Sequence, residues 1–179
     1  GLSGGETVKK TVVGLTGQSG AGKTTISDAF RENGFEIINC DIVAREVTQA
    51  GNECCKELAK LFPNCFDENY SLDRQKLGEI VFSDKNKLQM LNDTIYPFIN
   101  KLIDEKINAA PSRFILLDAP TLFEAGADKL CSVIVSVVAD FGIRLERITK
   151  RDGISAELAK KRLSSQHTME FFKAHSDFV

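Results

Sequence analysis

A chain of 179 residues with 42% hydrophobic content is long enough to bury one good core, and it suits one compact domain carrying insertions. Charged residues are plentiful but balanced at a formal net charge of −2, which excludes the broad basic field that draws nucleic acid. Five cysteines without any C-x-x-C spacing and only two histidines exclude an evident disulfide framework or metal cluster.

The chain opens on a polar, glycine-rich stretch that does not read as a signal peptide, and "GLSGG" is set aside from fold reasoning. A β-branched run from Thr11 to Val13 then leads into "GLTGQSGAGKTT", and a helix-like stretch, "KTTISDAFRENG", follows. Gly17, Gly22, Lys23 and Thr24 fill every fixed position of G-x-x-x-x-G-K-[ST] in the required strand–loop–helix context. The chemistry explains the residue types. A triphosphate is gripped by inward-pointing backbone N–H groups, and Gly17, Gly20 and Gly22 permit the backbone shape that this needs. The following helix adds its free amides and the positive end of its dipole. Lys23 can reach the β- and γ-phosphates, while the Thr24 hydroxyl is placed to ligate Mg²⁺. The candidate nucleotide contacts are therefore Gly17, Ser19, Gly20, Ala21, Gly22, Lys23, Thr24 and Thr25, with ATP or GTP as the ligand. The spacing differs from G-x-G-x-x-G, so a dinucleotide-binding loop fits poorly.

"EIINC" reads as a second strand, and Asp41 stands at its carboxyl end, where ligands sit in open α/β sheets. Two uses of Asp41 remain open on spacing alone: base for an attacking hydroxyl, or N-cap of the helix "IVAREV". Arg45, one helical turn on, can pair with Asp41 or hold an acceptor phosphate. From residue 52 to 110 apolar residues recur at helical spacing with scarcely a strand signal, which predicts an all-helical insertion too long for an ordinary crossover. Within it, vicinal Cys54 and Cys55 occupy adjacent helix positions that face different directions, and both read as packing residues.

"FILLDAP" and "SVIVSVV" follow as strands whose near-continuous apolar content suits the centre of a parallel sheet. "FILLDAPTLF", the longest apolar run, is broken by Asp118 and Pro120 and is far too short to span a bilayer. Asp118 stands where a P-loop enzyme often keeps an acid near Mg²⁺, though a structural strand-end carboxylate fits equally well. Glu124 is either an ion-pair partner or a helix N-terminal acid. The last third, "DFGIRLERITKRDGISAELAKKRLSSQ", reads as two helices broken at Gly153. Arg144, Arg147 and Arg151 share a face of the first, either as a solvated row or as phosphate ligands. "DFG" is a coincidence here, because no H-R-D loop precedes it.

Together these stretches resemble the dephospho-coenzyme A kinase family over nearly the whole chain. The resemblance rests on "GLTGQSGAGKTT", "INCDIVAREV", "LDRQKLGEIVF", "LNDTIYPFI", "DAPTLFEAG", "RLERITKRDGIS" and "SQHTMEFFKAHSDFV". It implies an α/β P-loop kinase fold: a mostly parallel five-stranded sheet flanked by helices, with a helical acceptor-binding insertion at 52–110 and a short helical lid at 144–175. It also implies transfer of the ATP γ-phosphate to the ribose 3′-hydroxyl of dephospho-coenzyme A, with Mg²⁺, in the cytoplasm. No nucleic acid, membrane or obligate protein partner is implied. The resemblance assigns Asp41 and Lys23 to catalysis, and Arg147 and Arg151 to a lid over the nucleotide. Arg45, Arg74, Leu122 and Phe123 fall on the acceptor side, beside Asp41.

The chain also departs from the family pattern. Asn39 replaces the first acid of D-A-D, Tyr96 stands before Pro97 in place of His, and Thr121 replaces an apolar residue. Family members continue beyond the position of Val179 through an Asn/Gly loop and a helix that help frame the adenine. Two alternatives stand beside this reading. One is a nucleoside or nucleotide kinase with the same phosphate grip. The other is a nucleotide-controlled switch, disfavoured by Asp41 and by the lack of a guanine-specificity motif.

Overall fold

The computed structural model describes residues 9–179, so the "GLSGG" stretch lies outside the described residues. Contacts divide the chain into two compact units, one of residues 1–38 with 109–179 and one of residues 39–108.

The first unit is built on a sheet of order β2-β3-β1-β4. Its strands are β1 (Thr11–Gly17), β2 (Glu36–Asn39), β3 (Phe114–Asp118) and β4 (Val133–Val137). β1 runs parallel to both β3 and β4, with Leu15 opposite Asp118 and Gly17 opposite Val137. Residues on successive positions of β1 and β3 are buried, including Val12, Val13, Leu15, Ile115, Leu116 and Leu117. Both faces of these central strands are therefore covered, which is why their sequences are continuously apolar rather than alternating. On one face Val13, Leu15 and Leu116 pack against Ile26 and Phe30 of helix α1 (Lys23–Glu32).

The described sheet has four strands, one fewer than the five expected. The outer edge of β4 is met by a single parallel bridge, Val135 to Phe178, in which Ser136 N donates to Phe178 O at 2.9 Å. Asp177 Oδ2 accepts from Ile134 N at 2.8 Å, so a side chain takes one ladder position that a fifth strand's backbone would fill. The C-terminal helices of this unit are α6 (Phe141–Asp152), α7 (Ala156–Ser164) and α8 (Met169–His175). Gly153 ends α6 in the left-handed conformation, as the predicted break requires, and Ser155 caps α7 through the Leu158 amide. Ile148, Ala159 and Leu163 zip α6 onto α7.

The second unit is helical: α2 (Cys40–Val47), α3 (Glu53–Leu61), α4 (Arg74–Phe82) and α5 (Lys85–Ala109), with a 3₁₀ turn at Pro63–Cys65. It begins at Asn39 rather than at 52 and so takes α2 with it. The reason is local, because Asn52 Nδ2 donates to Glu46 O at 2.6 Å and Cys55 Sγ to Gln49 O at 3.3 Å, tying the exit of α2 to α3. Asn39 and Asp73 cap α2 and α4. Pro97, with Tyr96 before it, lies inside α5. No helix of the described residues is long and apolar enough to cross a membrane.

No disulfide joins the five cysteines, and Cys54, Cys55 and Cys65 are buried. Burial pushes the Cys54 thiol from its ordinary 9.0 up to about 11, with Cys55 adding a smaller push, and lifts Cys131 to about 12. Below pH 9.0 both folded and unfolded thiols hold their protons; above it the unfolded chain releases protons first. Stability should therefore fall as pH rises through that window. Iodoacetamide in mildly alkaline buffer should leave Cys54 and Cys131 unmodified until denaturant is added. Rapid labelling of either in the folded protein would contradict this packing.

Candidate active site

The end of β1 determines the shape of the phosphate loop. Gly17 has φ 145°, and a Cβ built there would lie 2.2 Å from Val137 O, so only glycine fits against β4. Gln18 N donates to the same carbonyl at 3.0 Å, and Ala21 N donates back to Gln18 O at 3.1 Å, closing the turn. Gly20 (φ 77°) passes so close to α6 that a Cβ would meet Arg144 O at 2.9 Å. Gly22 (φ 99°) enters α1 with no side chain capping it. The N-terminal amides of α1 therefore lack a side-chain acceptor, the arrangement suited to an anion.

Register places the acid. Asp118 ends β3 opposite Leu15, and its Oδ1 lies 2.9 Å from Lys23 Nζ. The carboxylate that the sequence left open is thus the lysine's ion-pair partner. Thr24 and Thr25 sit exposed on the first turn of α1.

Behind the loop stands Arg144, only 4% exposed. Its Nε donates to Ser19 O and its Nη2 to Gln166 Oε1, each at 3.1 Å. Both acceptors are neutral, and burial pushes the guanidinium below its ordinary value. Its charge therefore acts on whatever occupies the loop, with little screening by water. Arg147 Nη1 donates to Gly20 O at 3.0 Å, while Arg151 is turned to Asp152, at 2.8 Å from Nε to Oδ1. The predicted arginine face is thus split: Arg144 is buried, Arg147 lies on the loop, and Arg151 is engaged within its own helix. Gln18 and His167 add a second tie, Nε2 to O at 3.3 Å.

The dephospho-CoA kinase family model (CoaE) matches residues 11–179. The chain belongs to the dephospho-CoA kinase family. The dephospho-CoA kinase of Fusobacterium nucleatum subsp. nucleatum is 38% identical over 160 residues, 89% of this chain and 82% of that protein. Dephospho-CoA kinase CAB5 of Saccharomyces cerevisiae is 37% identical over 177 residues, covering 94% and 73%. Among solved structures, TT1252 from Thermus thermophilus superposes with a TM-score of 0.82 at 27% identity, over 96% of this chain and 87% of that one. The dephospho-CoA kinase from Campylobacter jejuni gives 0.58 at 27% identity, over 94% and 86%.

In this family member the remaining site residues fall in different places. Asp41 is exposed in the first turn of α2, and its side chain makes no hydrogen bond or ion pair among the described residues. Asn39 does the capping, its Oδ1 accepting from Asp41 N at 2.9 Å and Ile42 N at 3.3 Å. The capping role weighed for Asp41 thus belongs to Asn39, the very residue that departs from the family's first acid. Arg45 is exposed and forms no pair with Asp41. Arg74, at the start of α4, donates from Nη2 to the buried Thr48 Oγ1 at 2.8 Å. Leu122 is fully buried beside Gly14 and Cys131, so it is a core residue rather than a ligand contact. Phe123 packs edge-on against Phe171 and His175. Glu124 accepts from His167 Nε2 at 2.8 Å, and His167 stacks on Phe171.

Sequence reasoning did not single out Gln166 or the burial of Arg144. Neither carries a local signal, because both depend on contacts with residues more than a hundred positions away.

Gly17→Ala should cost at least about 1–3 kcal/mol for the backbone conformation alone, and more for the collision with Val137. Gly78→Ala in α4, where an added Cβ meets nothing within 4 Å, should be neutral or stabilising by up to about 1 kcal/mol. Thermal melts of the two variants check this; equal effects would contradict the close approach at β4.

Proposed function

We propose that this chain performs the reaction for which its family is named, moving the γ-phosphoryl group of ATP to the ribose 3′-hydroxyl of dephospho-coenzyme A, the last step of coenzyme A synthesis. Support comes from the family match over residues 11–179, joined to a complete phosphate loop at the end of β1. The amides from Gly20 to Thr25 and the Lys23 ammonium hold the triphosphate, with Ser19 and Gly17 shaping the approach. Arg147 neutralises phosphate charge from the α6 side, and Arg151 joins it once drawn from Asp152. The helices of 144–175 act as a lid that excludes water, a competing acceptor.

The acceptor hydroxyl attacks the γ-phosphorus, a new O3′–P bond forms, and the bond to the β-phosphate oxygen breaks with release of ADP. The hydroxyl proton passes to Asp41, whose exposed carboxylate is not committed to capping. Arg45, Arg74 and Phe123 are the residues we assign to the acceptor.

Among the described residues no cluster of three or more His, Cys, Asp or Glu forms a resident metal site. Thr24 and Asp118 offer the hard oxygen donors that suit Mg²⁺ arriving with the nucleotide. When bound, Mg²⁺ neutralises charge on the transferring phosphates. Five cysteines without a disulfide fit a reducing compartment, the cytoplasm.

Incubation with ATP, Mg²⁺ and a panel of acceptors tests the assignment by mass spectrometry. Dephospho-coenzyme A should be converted to coenzyme A; phosphorylation of a nucleoside monophosphate instead would overturn it. Lys23→Ala should lower turnover by about a hundredfold or more, the usual cost of losing a charge at the transferring group. Asp41→Asn should cost about a hundredfold with little change in Tm, since Asn39 keeps the cap. Near-normal turnover in the folded Asn variant would remove Asp41 as base.

A further inference from the structure

Gln166 stands just beyond α7, its backbone N donating to Leu163 O at 3.2 Å. Its carboxamide reaches across the sequence to one residue of the phosphate loop. Oε1 accepts from Ser19 N at 3.0 Å and from Arg144 Nη2 at 3.1 Å, and Nε2 donates to Ser19 Oγ. Arg144 Nε takes Ser19 O at 3.1 Å. All three polar atoms of Ser19 are thereby held by two side chains, one from α6 and one from the turn after α7, and Arg144 receives a second acceptor in its buried position.

We propose that Gln166 is a positioning residue for nucleotide binding, acting through Ser19 and Arg144 to hold the phosphate loop in its anion-binding shape. The physical reason is conformational. A glycine-rich loop has many backbone states, and only the one with converging amides binds phosphate. Fixing the peptide groups on both sides of Ser19 removes the others, so less ordering is left for the ligand to bear. Because the amide oxygen also satisfies buried Arg144, one side chain couples the loop's shape to the placement of its nearest buried cation. The proposal deepens the kinase reading and rests on its phosphate loop, but not on the acceptor's identity.

The test is ADP binding by calorimetry in the presence of Mg²⁺, which involves no acceptor and stays informative if dephospho-coenzyme A proves to be the wrong substrate. Gln166→Ala should weaken ADP by about tenfold or more and raise the KM for ATP, while the KM for the acceptor stays unchanged. Gln166→Glu keeps the length and the accepting oxygens but sets a carboxylate against Arg144, so it should weaken ADP by charge while keeping the Ser19 amide slow to exchange, which Gln166→Ala should not. Ser19→Ala combined with Gln166→Ala should be less than additive, because both remove one contact. Should the Ala variant unfold, Gln166→Met keeps the volume and serves in its place. Hydrogen exchange at the Ser19 amide of the unaltered protein gives a further readout, and it should be slow. Wild-type ADP affinity in folded Gln166→Ala, equally rapid Ser19 exchange in the Glu and Ala variants, or rapid exchange at Ser19 of the unaltered protein would each overturn the proposal.

Discussion

The end of β1 approaches β4 so closely that no side chain fits between them. A Cβ on Gly17 would stand 2.2 Å from Val137 O, and the next amide, Gln18 N, is bonded to that same carbonyl. The chain must leave the sheet there and turn, and α1 starts at Lys23 with no side chain capping its first amides. Parallel register then delivers Asp118 beside the loop, because Leu15 of β1 pairs with the last residue of β3. A single close approach in the sheet thus fixes the loop, the lysine and the acid.

Electrostatics build on that frame. Lys23 is balanced by Asp118 at 2.9 Å, so the loop mouth holds a movable charge pair rather than a bare cation. Arg144 differs, being buried and hydrogen-bonded to neutral groups, with no carboxylate of the described residues in an ion pair with it. The two cations are therefore held differently: Lys23 sits in an ion pair, and buried Arg144 is bonded to neutral groups.

The phosphate loop was fully legible in the sequence, since a glycine pattern in strand–loop–helix context reports a backbone demand that is local. The four strands were legible too, β1 and β3 because central parallel strands are continuously apolar, whereas "SVIVSVV" read as central and β4 stands at the edge of the described sheet. The fifth came from fold resemblance and not from residues, and the described chain meets that edge with a short segment that includes Ser176, Asp177 and Phe178. Asp41 was ambiguous because an acid near a helix start has two uses; the structure gives the cap to Asn39. Leu122 was placed on the acceptor side by the resemblance, yet its side chain is buried beside Gly14. Arg144 and Gln166 were beyond sequence reasoning for a physical reason. Their partners are distant in the chain, and a lone Gln after a helix is indistinguishable from a solvated one.

A crystal structure with Mg²⁺ and a non-hydrolysable ATP analogue tests the central claim most directly, namely that the protein and not the ligand shapes the phosphate loop. The account predicts that the backbone from Gly17 to Lys23 keeps its present path to within about 1 Å, as in preorganised sites. Gly17 should still face Val137, Ser19 should still be held by Gln166 and Arg144, and Lys23 should have moved from Asp118 to the phosphates. A loop that refolds around the analogue, with the contacts to Val137, Gln166 and Arg144 broken, would contradict it.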